Sequence, residues 1–313
     1  MFRDKEYVYA VWKERSFSKA ALSLYISQPS LSAKIKKIED ELGAVIFDRS
    51  TTPLQLTEFG QLYIDAIIEV KQIERRIENT INDLNMLHSG ELSVGASNVF
   101  AAYVLPPLIA KFKKKFPNVN IQLIEDNTAS LERMLSSNEI DIVIDNNHYD
   151  RELFERKQYT KEKILLAVPN DLIICKDAKK FALSEECIAK KEYLNESTSP
   201  PSVPLSLFKD IPFILLTPNN DTRIRGERMC KEAGFRPHVV LEVHQQATAY
   251  MIATTKMGAT FVSDTLVQRM PSHANLNYYK LDSEFANRTI YFTFKKHKHQ
   301  TRAMEEFMRL ISQ

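Results

Sequence analysis

Cysteine, glycine and tryptophan are scarce in this chain of 313 residues, which has three Cys, seven Gly and one Trp. The cysteines at positions 175, 187 and 230 follow no C-x-x-C spacing, so neither a disulfide framework nor a zinc ribbon is expected. The glycines form neither a G-x-G-x-x-G fingerprint nor a P-loop, which argues against a phosphate-cradling nucleotide site.

Excess charge and long apolar runs are missing as well. The 42 Lys+Arg and 40 Asp+Glu residues give a formal net charge of +2, which excludes a polycationic protein that coats nucleic acid in bulk. The longest apolar runs span about five residues, whereas a membrane helix needs roughly 20. The amino terminus carries no apolar segment of the signal-peptide kind, so we expect a soluble, cytoplasmic protein.

Reactive constellations are also absent from the sequence. No H-E-x-x-H or G-x-S-x-G motif occurs, so neither a zinc-protease site nor a nucleophile elbow is expected. His297 and His299 are two positions apart and do not share a helix face. We therefore expect no catalytic residues, no metal site, no cofactor and no enzymatic activity. The length corresponds to about two domains of roughly 150 residues each.

Two short helical periods separated by a tight break form a helix-turn-helix candidate near the amino terminus. In the first helix, Ser18 is the expected N-cap. In the second, Ser27 caps the start, Pro29 occupies the first turn, and Gly43 suits the position after the end. The second helix has one apolar face, formed by Leu31, Ile35, Ile38 and Leu42. Apolar residues on either side of a polar tip then predict a small hairpin, or wing, at residues 45–56.

A long heptad pattern begins at Thr57. Apolar residues recur at alternating steps of four and three, with only Thr80 polar in the series: Phe59, Tyr63, Ala66, Val70, Ile73, Ile77, Leu84 and Leu87. No Gly or Pro interrupts residues 61–89. The pattern predicts a dimerisation seam of the coiled-coil type. A helix packed inside its own domain is the alternative, but the strongly charged other faces favour the seam.

Beyond residue 90 the pattern changes to strands that alternate with helices, which is typical of a mostly parallel α/β sheet. Strands are expected at residues 91–96, 119–125, 140–144, 163–169, 212–217, 238–243, 259–263 and 288–295. A Ser- and Pro-rich stretch at 195–204 is expected to be a surface loop, and the chain should close with a helix at 302–311.

Five short segments occur in order and at close spacing near the amino terminus: SFSKAAL (16–22), ISQPSLS (26–32), IEDELG (38–43), FDRS (47–50) and LTEFG (56–60). With the heptad helix and the α/β region they resemble LysR-type transcriptional regulators over the whole chain. The resemblance is densest at residues 16–60 and thinner beyond, at 234–237 and 257–260. It implies a bacterial DNA-binding regulator, usually a tetramer built as a dimer of dimers.

The resemblance also implies a domain plan. A winged helix-turn-helix is expected at residues 1–58, a linker and dimerisation helix at 59–89, and an effector-binding domain similar to periplasmic binding proteins at 90–313. Within that domain we expect lobe I at about 90–161 and 266–313, and lobe II at about 162–265. A small-molecule effector would bind between the lobes and change the spacing of the DNA-binding heads. RNA polymerase is a further expected partner, and a membrane is not.

The amino-terminal end of the second helix is expected to read the major groove of double-stranded DNA. Gln28 can bind adenine through two hydrogen bonds, while capping alone is the alternative role for Ser27. The predicted DNA-binding residues are Ser27, Gln28, Pro29, Ser30, Ser32, Lys34, Lys37, Arg49, Ser50 and Thr51. Many relatives carry Arg where this chain has Ala33, so its operator preference is expected to deviate from theirs.

Ligands of open α/β sheets bind beyond the carboxyl ends of the strands, often at helix amino termini. The polar residues that follow the predicted strands supply the candidate effector-binding set: Ser97, Asn98, Asn127, Thr128, Thr217, Gln245 and Gln246. Helix caps or turn residues are the alternative for Ser97, Thr128 and Thr217. Asp145 would either pair with a cationic group of the ligand or simply end its strand in contact with water.

Two other functions stay open at this point. The chain could be a small-molecule-binding protein or an α/β enzyme whose amino-terminal helices only dimerise. It could also be a winged-helix repressor that senses no ligand and uses its large domain only for assembly.

Overall fold

A computed structural model describes residues 2–51, 53–84, 90–173, 176–194, 200–271, 273–296 and 300–311. The chain forms two compact units, Met1–Leu84 and Asn85–Gln313. No helix in these described ranges is both long and apolar enough to cross a membrane. Some residues of the sequence predictions lie outside the ranges, namely Leu87, Cys175, His297, His299 and part of the 195–204 loop.

The first unit, here called the head, is helical with a short hairpin. Its elements are α1 (Lys5–Glu14), α2 (Phe17–Ser23), α3 (Gln28–Leu42), β1 (Phe47–Asp48), β2 (Gln55–Leu56) and α4 (Glu58–Leu84). β1 and β2 pair antiparallel, which confirms the predicted wing. The sequence patterns did not predict α1. Its apolar and aromatic residues lie on all sides of the helix and so form no single apolar face, and only Val8 and Val11 are buried.

The caps of α3 follow the prediction, whereas the cap of α2 differs from it. The Ser27 hydroxyl accepts a hydrogen bond from the Ser30 amide at 3.3 Å, and Gly43 ends α3 at φ +67°. The prediction of Ser18 as the α2 cap was wrong. Ser16 has the extended backbone that capping requires, and its hydroxyl accepts from the Lys19 amide at 3.4 Å, so Ser18 lies inside the helix.

The start of α4 is fixed to the wing. The Thr57 hydroxyl donates to the Val45 carbonyl at 2.6 Å and accepts from the Gly60 amide at 2.9 Å, which caps α4.

The residues of the predicted seam differ in burial along α4. Tyr63 is buried in the core of the head, although the heptad pattern placed it in the seam. Further along the same helix, Ile73 is 49% exposed and Ile77 is 55% exposed.

The second unit has ten strands and seven α-helices in its described part. The strands are β3 (Gly90–Ala96), β4 (Val119–Glu125), β5 (Ile142–Asp145), β6 (Phe154–Pro169), β7 (Ala182–Leu183), β8 (Pro212–Leu216), β9 (His238–Val243), β10 (Thr260–Ser263), β11 (Leu276–Lys280) and β12 (Asn287–Lys295). The helices are α5 (Leu105–Lys115), α6 (Thr128–Ser136), α7 (Glu185–Ala189), α8 (Asp221–Glu232), α9 (Gln246–Ala253), α10 (Asp264–Arg269) and α11 (Arg302–Ile311). A π-helical turn, Phe100–Val104, leads into α5.

The strand β6 belongs to two sheets and so connects two lobes. Its first part pairs antiparallel with β12, beside β5, β3 and β4, and this is lobe I. Its second part pairs antiparallel with β10 and β11 in lobe II. The sheets are therefore mixed, not mostly parallel as the alternating pattern predicted. All three strands that pair with β6, namely β10, β11 and β12, run antiparallel to it.

The lobe boundary in the structure lies at β12. Because β11 pairs with the Leu165–Pro169 end of β6, Leu276–Lys280 joins lobe II, whereas the sequence plan put this stretch in lobe I. The chain returns to lobe I only at Asn287, opposite Lys163. Each lobe has its own apolar core. The core of lobe I includes Phe112, Phe292 and Phe307.

Candidate functional sites

The first turn of α3 is exposed on an anchored helix. Leu31 and Ile35 are fully buried against the rest of the head, which fixes the orientation of α3. On the opposite side, four predicted DNA-binding residues are exposed: Ser27, Gln28, Pro29 and Ser30. Ser32 is partly buried. The structure thus presents short polar side chains and one amide at the amino-terminal end of a rigid helix.

A buried carboxylate joins α3 to the wing. Glu39 is 8% exposed, and its Oε1 accepts from the backbone amides of Ile46 at 2.8 Å and Phe47 at 3.2 Å. Its Oε2 lies 2.9 Å from Nη2 of Arg49. Arg49 also donates to the Ser32 hydroxyl at 3.4 Å. These bonds set the position of the wing relative to α3, and they hold Arg49 against the helix.

The sequence patterns did not single out Glu39. The available signal was its position four residues after Ile35, on the face that is buried. A carboxylate at such a position needs partners, and the backbone amides at the start of the wing provide them.

The wing tip is shaped by its own side chains. Oδ1 of Asp48 accepts from the Ser50 amide at 2.9 Å and from the Ser50 hydroxyl at 2.6 Å, and these bonds lower the pKa of the Asp48 carboxyl. The Thr51 hydroxyl donates to the Asp48 carbonyl at 3.1 Å. Ser50 and Thr51 therefore form a tight polar turn.

The two predicted lysines of α3 have different surroundings. Nζ of Lys34 lies 4.5 Å from the centre of the Tyr7 ring, a cation–π contact that directs it toward α1. The Lys37 side chain is 79% exposed and lies 3.8 Å from Glu41, a distance at which a surface pair contributes little. Lys37 is thus the freer of the two cations.

At the carboxyl edge of lobe I, the structure brings Asn98 to the end of β4. Its Nδ2 donates to Oε1 of Glu125 at 2.8 Å, which connects the ends of β3 and β4. Ser97 is partly buried and Thr128 is exposed. In lobe II, Gln245 is exposed, and the Thr217 hydroxyl lies 3.5 Å from Nδ1 of His244. These polar groups occupy strand ends, as the sequence predicted.

Three other polar residues named from the sequence are engaged within the fold. Asn127 is the N-cap of α6 and accepts from the Ser130 amide at 3.0 Å. Both ends of the Gln246 side-chain amide are hydrogen-bonded inside lobe II. Asp145 is buried and accepts from the Tyr149 hydroxyl at 2.6 Å, and burial raises its pKa to about 6. It neither ends its strand in water nor faces the lobe edge as a free charge.

A polar network spans the two lobes. Asn146, directly after β5 in lobe I, donates from Nδ2 to Oδ2 of Asp221 at 2.7 Å. Asp221 begins α8 in lobe II, and the same oxygen lies 3.1 Å from Nη1 of Arg288 on β12. Burial acts to raise the pKa of Asp221, but the Arg288 and Arg225 guanidiniums outweigh it and hold the pKa below its usual value. The network holds the lobes in their present relation.

Two buried carboxyl groups lie near that network, one on β6 and one at the start of α10. Glu162 on β6 is 1% exposed, and its Oε2 lies 2.5 Å from Nε of Arg288. Asp264 is fully buried and accepts a hydrogen bond from the Tyr193 hydroxyl. Oε1 of Glu162 and Oδ1 of Asp264 have no hydrogen-bond partner among the described residues. Burial, together with the charge of Glu162, raises the pKa of Asp264 to about 6.

Comparison with protein-family models matches both units. Residues 2–61 match the bacterial regulatory helix-turn-helix protein, lysR family, and residues 86–313 match the LysR substrate binding domain. The chain belongs to the LysR family of bacterial transcriptional regulators. It is therefore a DNA-binding regulator with an effector-binding domain, and not an enzyme, as the sequence predicted.

Full-length relatives of this LysR-type regulator cover nearly the whole chain. The uncharacterized HTH-type transcriptional regulator YcgK of Bacillus subtilis is 29% identical over 308 residues, which cover 97% of this chain and 92% of the relative. A probable RuBisCO transcriptional regulator of Trichormus variabilis is 26% identical over 305 residues, which cover 96% and 85%.

Solved structures show the same fold. CbnR in complex with its target DNA has a TM-score of 0.66 and 18% identity, and the match covers 99% of this chain and 98% of that chain. A full-length OxyR variant from Pseudomonas aeruginosa has a TM-score of 0.65 and 22% identity, with coverages of 98% and 96%. The predicted fold class, with a winged helix-turn-helix, a linker helix and a two-lobed α/β effector-binding domain, is confirmed.

Proposed function

We propose that this LysR-type regulator reads operator DNA with the first turn of α3 and contacts the DNA backbone with the wing. The observation that carries the proposal is the exposed first turn of α3 on a helix whose opposite face is fully buried. A helix amino terminus also offers backbone amides and a positive dipole end to phosphates. Gln28 is the side chain in this turn that can form two hydrogen bonds to an adenine edge.

The other proposed contacts position the head. Ser27, Ser30 and Ser32 reach phosphates or bases through hydroxyls, and Pro29 packs on the groove wall. Lys34 and Lys37 meet phosphates, and so do the wing residues Arg49, Ser50 and Thr51. Phosphate contacts fix register without reading sequence. Because Ala33 supplies no guanidinium fork, sequence reading depends more on Gln28 here than where arginine occupies that position.

Gln28→Ala is expected to weaken discrimination between operator and random DNA by about 1–3 kcal/mol. The measurement is a pair of binding constants at one fixed salt concentration, for an operator selected by the wild-type protein and for a random duplex. Lys111→Ala is the matched control, because Lys111 is exposed on α5, outside the head, and should leave both constants unchanged. An operator-to-random ratio that is equal for wild type and Gln28→Ala would refute the base-reading role.

We infer that the effector binds at the facing carboxyl edges of the two lobes. Ser97, Asn98, Thr128, Thr217 and Gln245 are proposed as direct contacts, since none of them is fully buried in the described structure. Asn127 and Gln246 are proposed to position the site, because their side chains already cap or cross-link the fold. The Asn146–Asp221 hydrogen bond connects the lobes, so an effector that favours closure would strengthen it.

Thermal-shift screening of metabolites against the full chain tests this site. A true effector is expected to raise the melting temperature of the wild-type protein, and Asn98→Ala is expected to reduce that rise, because the variant removes one direct hydrogen bond. Asn120→Ala is the control, since Asn120 is exposed near the amino-terminal end of β4, at the opposite edge of the sheet from Glu125. An undiminished shift in Asn98→Ala would remove Asn98 from the site.

We further propose that two copies pair along α4 and that two such dimers form a tetramer. Ile73 and Ile77 leave apolar surface on a helix of 27 residues, and a second copy of the same seam would cover it. Effector-driven closure of the lobes would then change the spacing of the heads on bent DNA and the access of RNA polymerase. A regulator that contacts promoters in this way acts in the cytoplasm.

A further inference from the structure

Tyr25 lies in the turn between α2 and α3 and is 96% exposed. Its backbone is left-handed, with φ +56°, a conformation that Gly adopts freely and that Asn tolerates better than other residues. Two hydrogen bonds fix the turn, from the Tyr25 amide to the Leu22 carbonyl at 3.1 Å and from the Ile26 amide to the Ala21 carbonyl at 3.0 Å. The direction of the Tyr25 side chain is therefore set by a rigid turn.

The folded head gains little from a tyrosine at this position. At 96% exposure the ring and the hydroxyl face solvent, and the left-handed backbone disfavours a side chain of this size. Leu22, on the last turns of α2, is 76% exposed and extends the same surface. A residue that satisfies neither packing nor backbone preference points to a contact outside the chain.

The position of Tyr25 indicates what that contact is. The residue lies two positions before Ser27, the N-cap of α3, so its surface is continuous with the helix end that is proposed above to enter the DNA groove. When a helix enters the major groove, the turn that precedes it lies at the groove edge, where the phosphate backbone runs. Tyrosine hydroxyls are among the groups that bind phosphate oxygens.

We propose that Tyr25 is a DNA-backbone contact, in which its hydroxyl donates to a phosphate oxygen and its ring packs on the adjoining sugar. The contact rests on the proposed docking of α3. It contributes to affinity and not to sequence reading, since phosphates are the same at every base pair. Because tyrosine is neutral, it releases no counterion of its own, in contrast to a lysine contact.

Binding of full-length Tyr25→Phe and Tyr25→Asn to labelled duplexes over a KCl series tests the proposal. The duplexes are an operator selected from a random library by the wild-type protein, and a random sequence of equal length. Tyr25→Phe is expected to lose roughly 10- to 100-fold in affinity for both duplexes, as one hydrogen bond to a charged group is removed, with the salt slope unchanged. Tyr25→Asn should bind at least as weakly, yet melt no lower than wild type, because asparagine tolerates the left-handed backbone.

Lys111→Ala is again the control, since Lys111 is exposed on α5, outside the head, and its truncation should change neither affinity nor melting. Wild-type affinity in both Tyr25 variants overturns the contact, and so does a loss of promoter activation with unchanged DNA affinity, which would assign Tyr25 to a protein partner. A loss restricted to the operator also overturns a backbone role. If the wild-type protein selects no duplex at all, the proposed DNA docking fails, and this contact fails with it.

Discussion

Arg288→Met is expected to lower the free energy of unfolding of the effector-binding unit by about 3–5 kcal/mol. The Arg288 side chain is 9% exposed and that of Glu162 fully buried, with 2.5 Å between Nε and Oε2. Without the guanidinium, Glu162 would keep a charge in an apolar interior. Asp221 would lose one of its two arginine partners and keep only Arg225. Urea unfolding of the full chain, followed in the transition of the larger unit, measures the loss.

A second substitution separates an uncompensated charge from a packing defect. The double variant Arg288→Met with Glu162→Gln should be milder than the single one, because it removes both charges. Arg309→Met, at a pair with one largely exposed partner, is the surface control. An equal loss in the single and double variants would contradict a charge-based role.

Gly60→Ala is expected to destabilise the head by on the order of 3 kcal/mol. A Cβ built at Gly60 would lie 2.0 Å from the Ile46 carbonyl oxygen. This atom cannot give way easily, since the Ile46 amide is held by Glu39 and its carbonyl accepts from the Thr57 amide at 3.0 Å. The substitution should therefore separate α4 from the wing and lower DNA affinity together with stability.

Gly43→Ala is the matched control for that variant. Gly43 also lies in the head, but it has open space around its Cα and a left-handed φ of +67°, so alanine there should cost only about 1 kcal/mol. Melting of the head, resolved from that of the effector-binding unit by calorimetry, gives both values. A cost at position 60 no greater than that at position 43 would show that the close contact with Ile46 does not explain the glycine of the LTEFG segment.

Local chemistry made much of the head predictable. Ser27 signals the start of α3 through its capping hydrogen bond, and Pro29 through its missing amide hydrogen. Gly43 signals the end of α3, because glycine adopts the left-handed backbone freely. These signals depend only on near neighbours in the sequence. The helix α1 gave no such signal, since its apolar residues form no stripe. In the second unit, alternation located most strands, but it cannot show that β6 serves two sheets or that β12 returns antiparallel beside it.

The candidate sites divide in the same way. Residues that follow strands, such as Asn98 and Thr217, could be placed because parallel strands end at one edge. The interlobe network could not be placed, because Arg288 lies 126 residues from Glu162 and 67 from Asp221 along the chain. Only the fold brings such residues together. Glu39 is an intermediate case, since its buried helix face was readable but its partners in the wing were not.

Hydrogen–deuterium exchange of the full chain, with and without a selected operator duplex, tests the central claim most directly. The account predicts protection of amides at residues 25–32 and 49–51 by the operator, with weaker protection of the same segments by a random duplex of equal length and salt. The lysine-rich carboxyl end of α5 should exchange unchanged. Protection confined to that lysine-rich segment, or absent from the first turn of α3, would contradict the account.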